Sequence, residues 1–293
     1  MTVNDSWFTE KAKGFGMALK IKAKIHDEKS PYQHIEVYET ETFGRLLTLD
    51  GLTMLTSRDN FIYHEMLSHP ALFTHSNPKQ VVIVGGGDCG TLREVLKHRE
   101  VEQVLQVELD ERVTRVAEQY FPELCESNDD KRASFLFVDA IQWMAEAKAD
   151  SVDVILLDTT DPVGQASRLF SAEFYRDCLR VLRKGGLMVA QSESPLFDID
   201  IIKAVHAAMR KAGADDIMTV HFPQCTYPSG WWSATMARKG QKLKGFRETA
   251  ARKKTFETRY YNADIHIASQ SLPTFVNKAL AGPGKEQDPD RTS

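Results

Sequence analysis

The sequence predicts an α/β protein, with a mostly parallel sheet carrying helices on both faces and a small antiparallel β-domain in front of it. Three observations predict this. Between Met17 and Ser57, short stretches alternate apolar and polar residues, as half-buried strands do. From Lys79 onward, short apolar runs alternate with segments of helical periodicity, the pattern of successive strand–helix units. One strand-to-helix junction, "VVIVGGGDCGTLREV" (81–95), carries Gly85, Gly87 and Gly90 in the spacing of a turn that hugs a nucleotide.

The first region reads as strands in "MALKIKAKIH", "HIEVYE" and "GRLLTL". Asp50-Gly51, between "LLTL" and "LTMLT", is a hairpin signal because both residues tolerate positive φ. "RDNFIYHEMLSHPALF" follows with helical character, and Asp59 stands where a capping residue belongs. The second region opens with "QVVIVGG", an apolar run suited to a strand buried on both faces. It continues through helical "GTLREVLKH" and "ERVTRVAEQYF", with strand-like "VEQVLQVEL" between them. "SFLFVD", "AIQWMAEAK", "VDVILLD", "SAEFYRDCLRVLRK", "GLMVAQSE" and "DIDIIKAVHAAMRKAG" keep up the alternation, and "DIMTVHF" with "GWWSATMA" reads as a closing strand pair. We expect an N-terminal unit over 1–75 that includes the connecting helix, a catalytic α/β unit over 76–282, and a Gly/Pro-rich polar tail over 283–293 that is disordered.

Composition narrows the function. The chain has 293 residues, 42% hydrophobic and 27% charged, with a net charge of −4. That is ordinary for a soluble globular protein and gives no basic, aromatic-rich patch for nucleic acid. Four cysteines stand far apart without a Cys-x-x-Cys pair, so no zinc site or disulfide framework is expected. No apolar run reaches membrane-spanning length, and "MTVNDSWFTEK" has no secretory apolar core, so a cytoplasmic location is expected. "HEMLSH" resembles the zinc motif H-E-x-x-H, but His64 and His69 are five apart, which turns their imidazoles to different helix faces.

Ligands of an open parallel sheet bind beyond the carboxyl ends of its strands. Those ends carry Asp88, Glu108, Asp139, Asp158, Asp161 and Glu193, so the mouth of the sheet is acidic. Glu108 ends the strand after the glycine turn, where an acid takes the two hydroxyls of a ribose. Asp88, within the turn, would repel a pyrophosphate or the carboxylate of S-adenosylmethionine; its alternative role is to cap the helix that follows. Decarboxylated S-adenosylmethionine, with a sulfonium and an amine, is a dication suited to such a loop. In "VILLDTTDPVG" a second acid, Asp161, follows Asp158 by three residues. Two such carboxylates repel unless a cation or a proton lies between them. An amine arrives protonated and cannot attack, and a neighbouring carboxylate can collect its proton. The bland alternative is a turn before Pro162.

At these residues the chain resembles the polyamine aminopropyltransferases, and within them the spermidine-forming members. "GGGDCGTLREV", "VELD", "LLDTTDPVG" and "TYPSGWWS" match in order and spacing, as do "FGRLLTLDG" and "DNFIYHEM", so the similarity runs from about Trp7 to Ala237. The resemblance implies a Rossmann-like, methyltransferase-type sheet and aminopropyl transfer from decarboxylated S-adenosylmethionine, a co-substrate, to putrescine, without a metal or further cofactor. It also implies roles. Asp158 would be the general base, Asp161 would hold the acceptor, and Asp88, with the loop of Gly85 and Gly87, the donor amine. Glu108 would bind ribose. Asp139, Ala140 and Gln165 would meet the adenine and Gln33 the adenosyl moiety, while Tyr63, His64 and Tyr227 would line the polyamine channel. Relatives associate through the N-terminal sheet, which implies a homodimer or homotetramer.

Two departures stand out: Gln165 where the family usually has proline, and Cys89 where it usually has glycine, which could narrow the donor site. No catalytic role is expected for Glu193. The competing readings are an S-adenosylmethionine-dependent methyltransferase, the same transfer to cadaverine, agmatine or spermidine, and a noncatalytic binder on this scaffold.

Overall fold

A computed structural model describes residues 6–12, 14–161 and 164–281, with backbone alone at 12, 164 and 165. The expected tail, 283–293, lies outside the described residues, as do Pro162 and Val163 of "DPVG". The architecture agrees with the fold class read from the sequence. An antiparallel meander of five strands comes first: β1 (Trp7–Ala12), β2 (Phe15–Lys29), β3 (His34–Thr40), β4 (Arg45–Leu49) and β5 (Leu52–Thr56), hydrogen-bonded in that order. Asp50 (φ 53°) and Gly51 (φ 79°) join β4 to β5, both left-handed, as a two-residue hairpin of this hand requires. The alternating pattern buries Ile35, Val37, Leu47 and Leu55 on one face, where they pack on Val113, Val116 and Phe121 of the second sheet's flank.

The helix α1 (Asn60–Thr74) leads into the second layer. Its seven strands lie in the order β11-β12-β10-β9-β6-β7-β8. Five of them run parallel: β6 (Gln80–Gly85), β7 (Gln103–Glu108), β8 (Ala133–Phe137), β9 (Val152–Asp158) and β10 (Leu182–Gln191). β11 (Asp216–Pro223) and β12 (Trp231–Arg238) close the sheet as an antiparallel pair. Successive strand residues face opposite sides, so each face has its own core. Val81, Ile83, Val154 and Leu156 meet Met66, Leu67, Leu92 and Val95 on one side. Val82, Val84, Ile155 and Leu157 meet Tyr175, Cys178, Val205 and Met209 on the other. Helices α2 (Gly90–Leu96), α3 (Glu111–Tyr120), α4 (Ala140–Glu146), α5 (Ala172–Val181) and α6 (Ile199–Ala212) make the crossovers. α1 packs with α2 against the second sheet, so its side chains belong to the core of that layer.

The structure differs from the sequence reading in four places. β1 is a strand, although its residues gave no pattern long enough to read. Three helices, α7 (Glu248–Arg252), α8 (Ala263–Ala268) and α9 (Thr274–Ala281), occupy a stretch that carries little periodicity because each is at most 8 residues long. The helix expected to reach Lys184 stops at Val181, where the chain enters β10. Asp59 stands at the N-cap of α1 but does not bond the helix; its carboxylate accepts from Thr56 Oγ1 (2.5 Å), Thr226 N (3.2 Å) and Thr226 Oγ1 (2.8 Å), tying α1 to the loop before β12. Among the described residues, no helix is long and apolar enough to cross a membrane.

The C-terminal helices are anchored by one carboxylate. Glu65, buried in α1, accepts from the backbone N–H groups of Arg259 (2.8 Å), Tyr260 (2.9 Å) and Tyr261 (2.7 Å). Removing it strands three donors, each costing about 1–3 kcal/mol when buried. Glu65→Ala is therefore expected to destabilise the protein by about 3 kcal/mol or more and to open the segment after residue 250 to protease. A thermal midpoint and a digestion pattern equal to wild type would contradict this.

Candidate active site

The site begins with three glycine positions that admit no side chain. Gly85 (φ 77°) ends β6 so close to β9 that a Cβ would lie 2.2 Å from the Asp158 carbonyl oxygen. The next residue, Gly86, donates its N–H to that same oxygen at 2.8 Å. At Gly87 a Cβ would meet Val113 at 2.8 Å and Glu108 Oε2 at 3.1 Å, so a side chain there would cover the Glu108 carboxylate. At Gly90, the first residue of α2, a Cβ would fall within 2.3 Å of the His64 ring. The turn thus brings β6, β7, β9 and α1 together with their functional side chains facing one space. That space is a cavity of about 740 Å³, within the usual size of a small-molecule site.

Asp158 stands at its floor. Tyr63 Oη donates to one carboxylate oxygen at 2.8 Å and Thr91 Oγ1 to the other at 2.6 Å. Burial, then the Asp88 charge, raises its pKa to about 6 despite these donors. Asp88 accepts from Gly90 N (2.7 Å), so the capping reading of this residue also holds in part, and its Oδ1 lies 3.1 Å from His64 Nε2. Burial alone would lower the His64 imidazole and raise the Asp88 carboxyl; their pairing outweighs it and shifts both the other way. His64 Nδ1 is buried without a partner. Glu108 accepts from Asp110 N at 2.8 Å, and burial pushes it up to about 7. Asp110 holds the rest of that corner: Ser30 Oγ (2.6 Å) and Gln33 Nε2 (2.9 Å) both donate to it, so the β2–β3 loop is strapped to the start of α3.

The other residues singled out from the sequence divide as follows. Gln33, Asp139, Ala140, Asp161 and Tyr227 line the same cavity. The Asp139 carboxylate is exposed and caps α4 through Ile141 N (2.8 Å). Tyr227 packs edge-on against Tyr63, centroids 5.9 Å apart, and gives its hydroxyl to Met54 O (2.6 Å). The side chain of Gln165 lies outside the described residues. Cys89 is fully buried, with its sulfur toward Gly87 O (3.7 Å), and does not line the cavity, so the expected narrowing is not found. His64 and His69 face different partners, since His69 Nε2 turns to Glu94 at 3.1 Å. Among the described residues the one metal-type grouping, Asp27, His34 and Glu36, lies on the first sheet, where Lys24 Nζ already sits 2.7 Å from Asp27 and 2.6 Å from Glu36.

Two more acids bear on Asp161, one placed at a strand end by the sequence but given no role, the other not singled out at all. Glu193, just beyond β10 with φ 68°, is buried and bonded by Gln191 Nε2 (3.2 Å); burial and the Asp161 charge push it up to about 9, and Asp161 is raised as well. Glu10 on β1 accepts from Thr53 N (2.8 Å) and is raised by burial and by Asp161. The only sequence signal for Glu193 was its place at a strand end; Glu10 had none.

The chain is similar to known proteins over most of its length. Residues 60–245 match the spermine/spermidine synthase domain family, and residues 6–57 the family described as a spermidine synthase tetramerisation domain. A curated protein of Thioalkalivibrio sulfidiphilus named polyamine aminopropyltransferase is 57% identical over 96% of this chain and 100% of its own. Another of that name, from Nitrosococcus oceani, is 58% identical over 93% and 96%. Among solved structures, a spermidine synthase in complex with the transition-state analogue AdoDATO superposes with TM-score 0.90 at 39% identity, covering 94% of each chain. The spermidine synthase of Thermotoga maritima superposes with TM-score 0.88 at 37% identity, again over 94% of each.

The crowded acids make a prediction about pH. Unfolded carboxyls lose their protons at about pH 4, whereas Asp158 holds its proton to about 6, Glu108 to about 7 and Glu193 to about 9. Burial lowers His75, His98, His206 and His266, which oppose this trend until about pH 7, where they are neutral in both states; above that the folded form binds more protons, so its stability falls as pH rises. His64, a base raised by folding, acts with the same sign. The thermal midpoint of the ligand-free protein is expected to fall from about pH 7 to about pH 9, and to be restored most at the alkaline end by a diammonium ligand such as putrescine. A midpoint that climbs across this range contradicts the assignment.

Proposed function

Because this chain belongs to the spermine/spermidine synthase family and is an enzyme of it, we propose that it transfers the aminopropyl group of decarboxylated S-adenosylmethionine to putrescine, giving spermidine and methylthioadenosine. The single observation that carries the reading is one cavity lined by Asp88, Glu108, Asp158 and Asp161, with Asp158 fixed between two hydroxyls. Such a cavity suits a ligand with positive charge at several points and no phosphate.

Each group then has a role. Glu108 accepts the ribose hydroxyls of the donor, and Gly87 leaves its carboxylate uncovered. Adenine lies between the Leu109 side and Asp139–Ala140, under the strap that Gln33 makes with Asp110. Asp88 receives the aminopropyl ammonium, which takes over from His64 as its counter-charge. The acceptor lies along Tyr63 and Tyr227, whose faces suit a methylene chain with cationic ends. Its far ammonium meets Asp161, whose charge also raises Glu193 and Glu10, so one positive charge there would relieve all three. Its near nitrogen reaches Asp158, which takes its proton. The freed lone pair attacks the carbon next to sulfur; the carbon–sulfur bond breaks and its electrons return to sulfur, which leaves as a neutral thioether. No acid is required for that leaving group. Alignment of the two reactants supplies much of the acceleration, and proton transfer to a placed base contributes about 10²–10⁴-fold.

Two experiments test this reading. Asp158→Asn keeps the side-chain shape, with its oxygen accepting from one hydroxyl and its NH2 donating to the other, but cannot take a proton. It is expected to lower kcat with decarboxylated S-adenosylmethionine and putrescine by about 10²–10⁴-fold, while methylthioadenosine still binds. Wild-type turnover in the variant, or methyl transfer from S-adenosylmethionine by the native enzyme, would refute it. We further propose that the chain forms a homo-oligomer, a dimer or tetramer, through its five-stranded sheet, because that segment matches the tetramerisation family. Light scattering on the intact protein should give a multiple of 33.1 kDa, and a monomer at micromolar concentration would exclude it.

A further inference from the structure

A second cavity, of about 700 Å³, opens beyond the far end of α2, between the 97–100 turn and the segment 246–256. Its sign is opposite to that of the first. Five cations, Lys97, Arg99, Arg247, Lys253 and Lys254, line it against two carboxylates, Glu100 and Glu248. Lys97 is engaged by Glu94 (2.7 Å) and Arg247 by Glu100 (2.8 Å). Among the described residues, the side chains of Arg99, Lys253 and Lys254 have no ion-pair partner. Three positive charges of a chain with net charge −4 are therefore gathered at one concave place without neutralisation.

The wall between these charges is aromatic. Phe73 and Phe256 lie nearly parallel, with centroids 6.3 Å apart, and Phe246, backed by the His266 ring at 3.6 Å, completes the lining. One buried polar atom also belongs to this wall. His98 is fully buried; its Nε2 meets His69 Nδ1 at 3.0 Å, but its Nδ1 has no hydrogen-bond partner, the nearest acid being Glu100 at 4.0 Å. A buried polar atom left unmet carries a cost that a ligand group can remove.

Unneutralised cations favour a multiply charged anion, and rings favour a flat ligand face against them. An unmet imidazole nitrogen offers one directed bond. We propose that this cavity binds a nucleoside phosphate, with phosphates toward Arg99, Lys253 and Lys254 and the base against the phenylalanine wall. The same ligand is repelled by the carboxylates of the first cavity, so the two sites sort ligands by charge at opposite ends of one helix.

Calorimetric titration of the full chain with ADP tests the proposal. One ADP should bind per chain, and saturating methylthioadenosine should leave that binding unchanged. The double substitution Lys253→Glu and Lys254→Glu should weaken it by about tenfold or more, through loss of charge-assisted contacts. Arg99→Glu, made separately, should do likewise; all three side chains are at the surface, so the thermal midpoint reports that the fold is intact. The proposal is overturned by absence of binding at millimolar ADP, by displacement with methylthioadenosine, or by charge reversals without effect. Inorganic tripolyphosphate binding as tightly as ADP would also overturn it, because the aromatic wall would then contribute nothing.

Discussion

Like charges forced together in a poorly hydrated space are the constraint on which this structure turns. Asp88, Asp158, Asp161 and Glu108 share one cavity, and the charge of Asp161 also acts on the buried Glu193 and Glu10. No arrangement of carboxylates alone is comfortable there. The ligand-free molecule relieves the repulsion by holding protons, by pairing Asp88 with His64 and by giving Asp158 two hydroxyl donors. Each device is provisional in the sense that a cation would serve better. A site built this way gains most from the most positive ligand, so the repulsion that costs stability in the empty protein becomes binding free energy for a polycation.

Placement of those acids depends on backbone packing rather than on the acids themselves. The bond from Gly86 N to Asp158 O, with no room for a Cβ at Gly85, locks the ends of β6 and β9 together. Gly90 lets the His64 ring lie on the start of α2, which brings His64 to Asp88 and Tyr63 to Asp158. Glu65, the next residue of α1, faces away and fastens the C-terminal helices. Three successive residues of one helix thus serve the base, the donor loop and the periphery. Asp110 does the corresponding work at the adenosine end, linking the Glu108 corner to the loop from the first sheet.

Much of this was legible in the sequence for a physical reason. In a parallel sheet every strand delivers its last residue to the same edge, so acids at the ends of "VVIVGGGD", "QVEL" and "VILLDTTD" had to converge once the strand–helix alternation was recognised. What stayed hidden depends on contacts that no local pattern encodes. Glu10, on β1, feels the charge of Asp161 from far along the chain. Glu193 is buried just past β10 with a backbone φ of 68°, a conformation no local pattern announces. Asp59 has the local appearance of a cap and spends its carboxylate on Thr226, far along the chain. The short helices after residue 248 repeat too few turns to show a period. The basic cavity is assembled from 97–100 and 246–256, segments that are unremarkable until the fold makes them neighbours.

The central claim is that the cavity stores protons which a cationic ligand replaces. Calorimetry of putrescine binding to the methylthioadenosine complex, repeated near pH 7 in buffers of different ionisation enthalpy, counts those protons directly. Net release on binding, on the order of one proton per chain, is the predicted result. Binding with no proton change, or with uptake, would contradict the account.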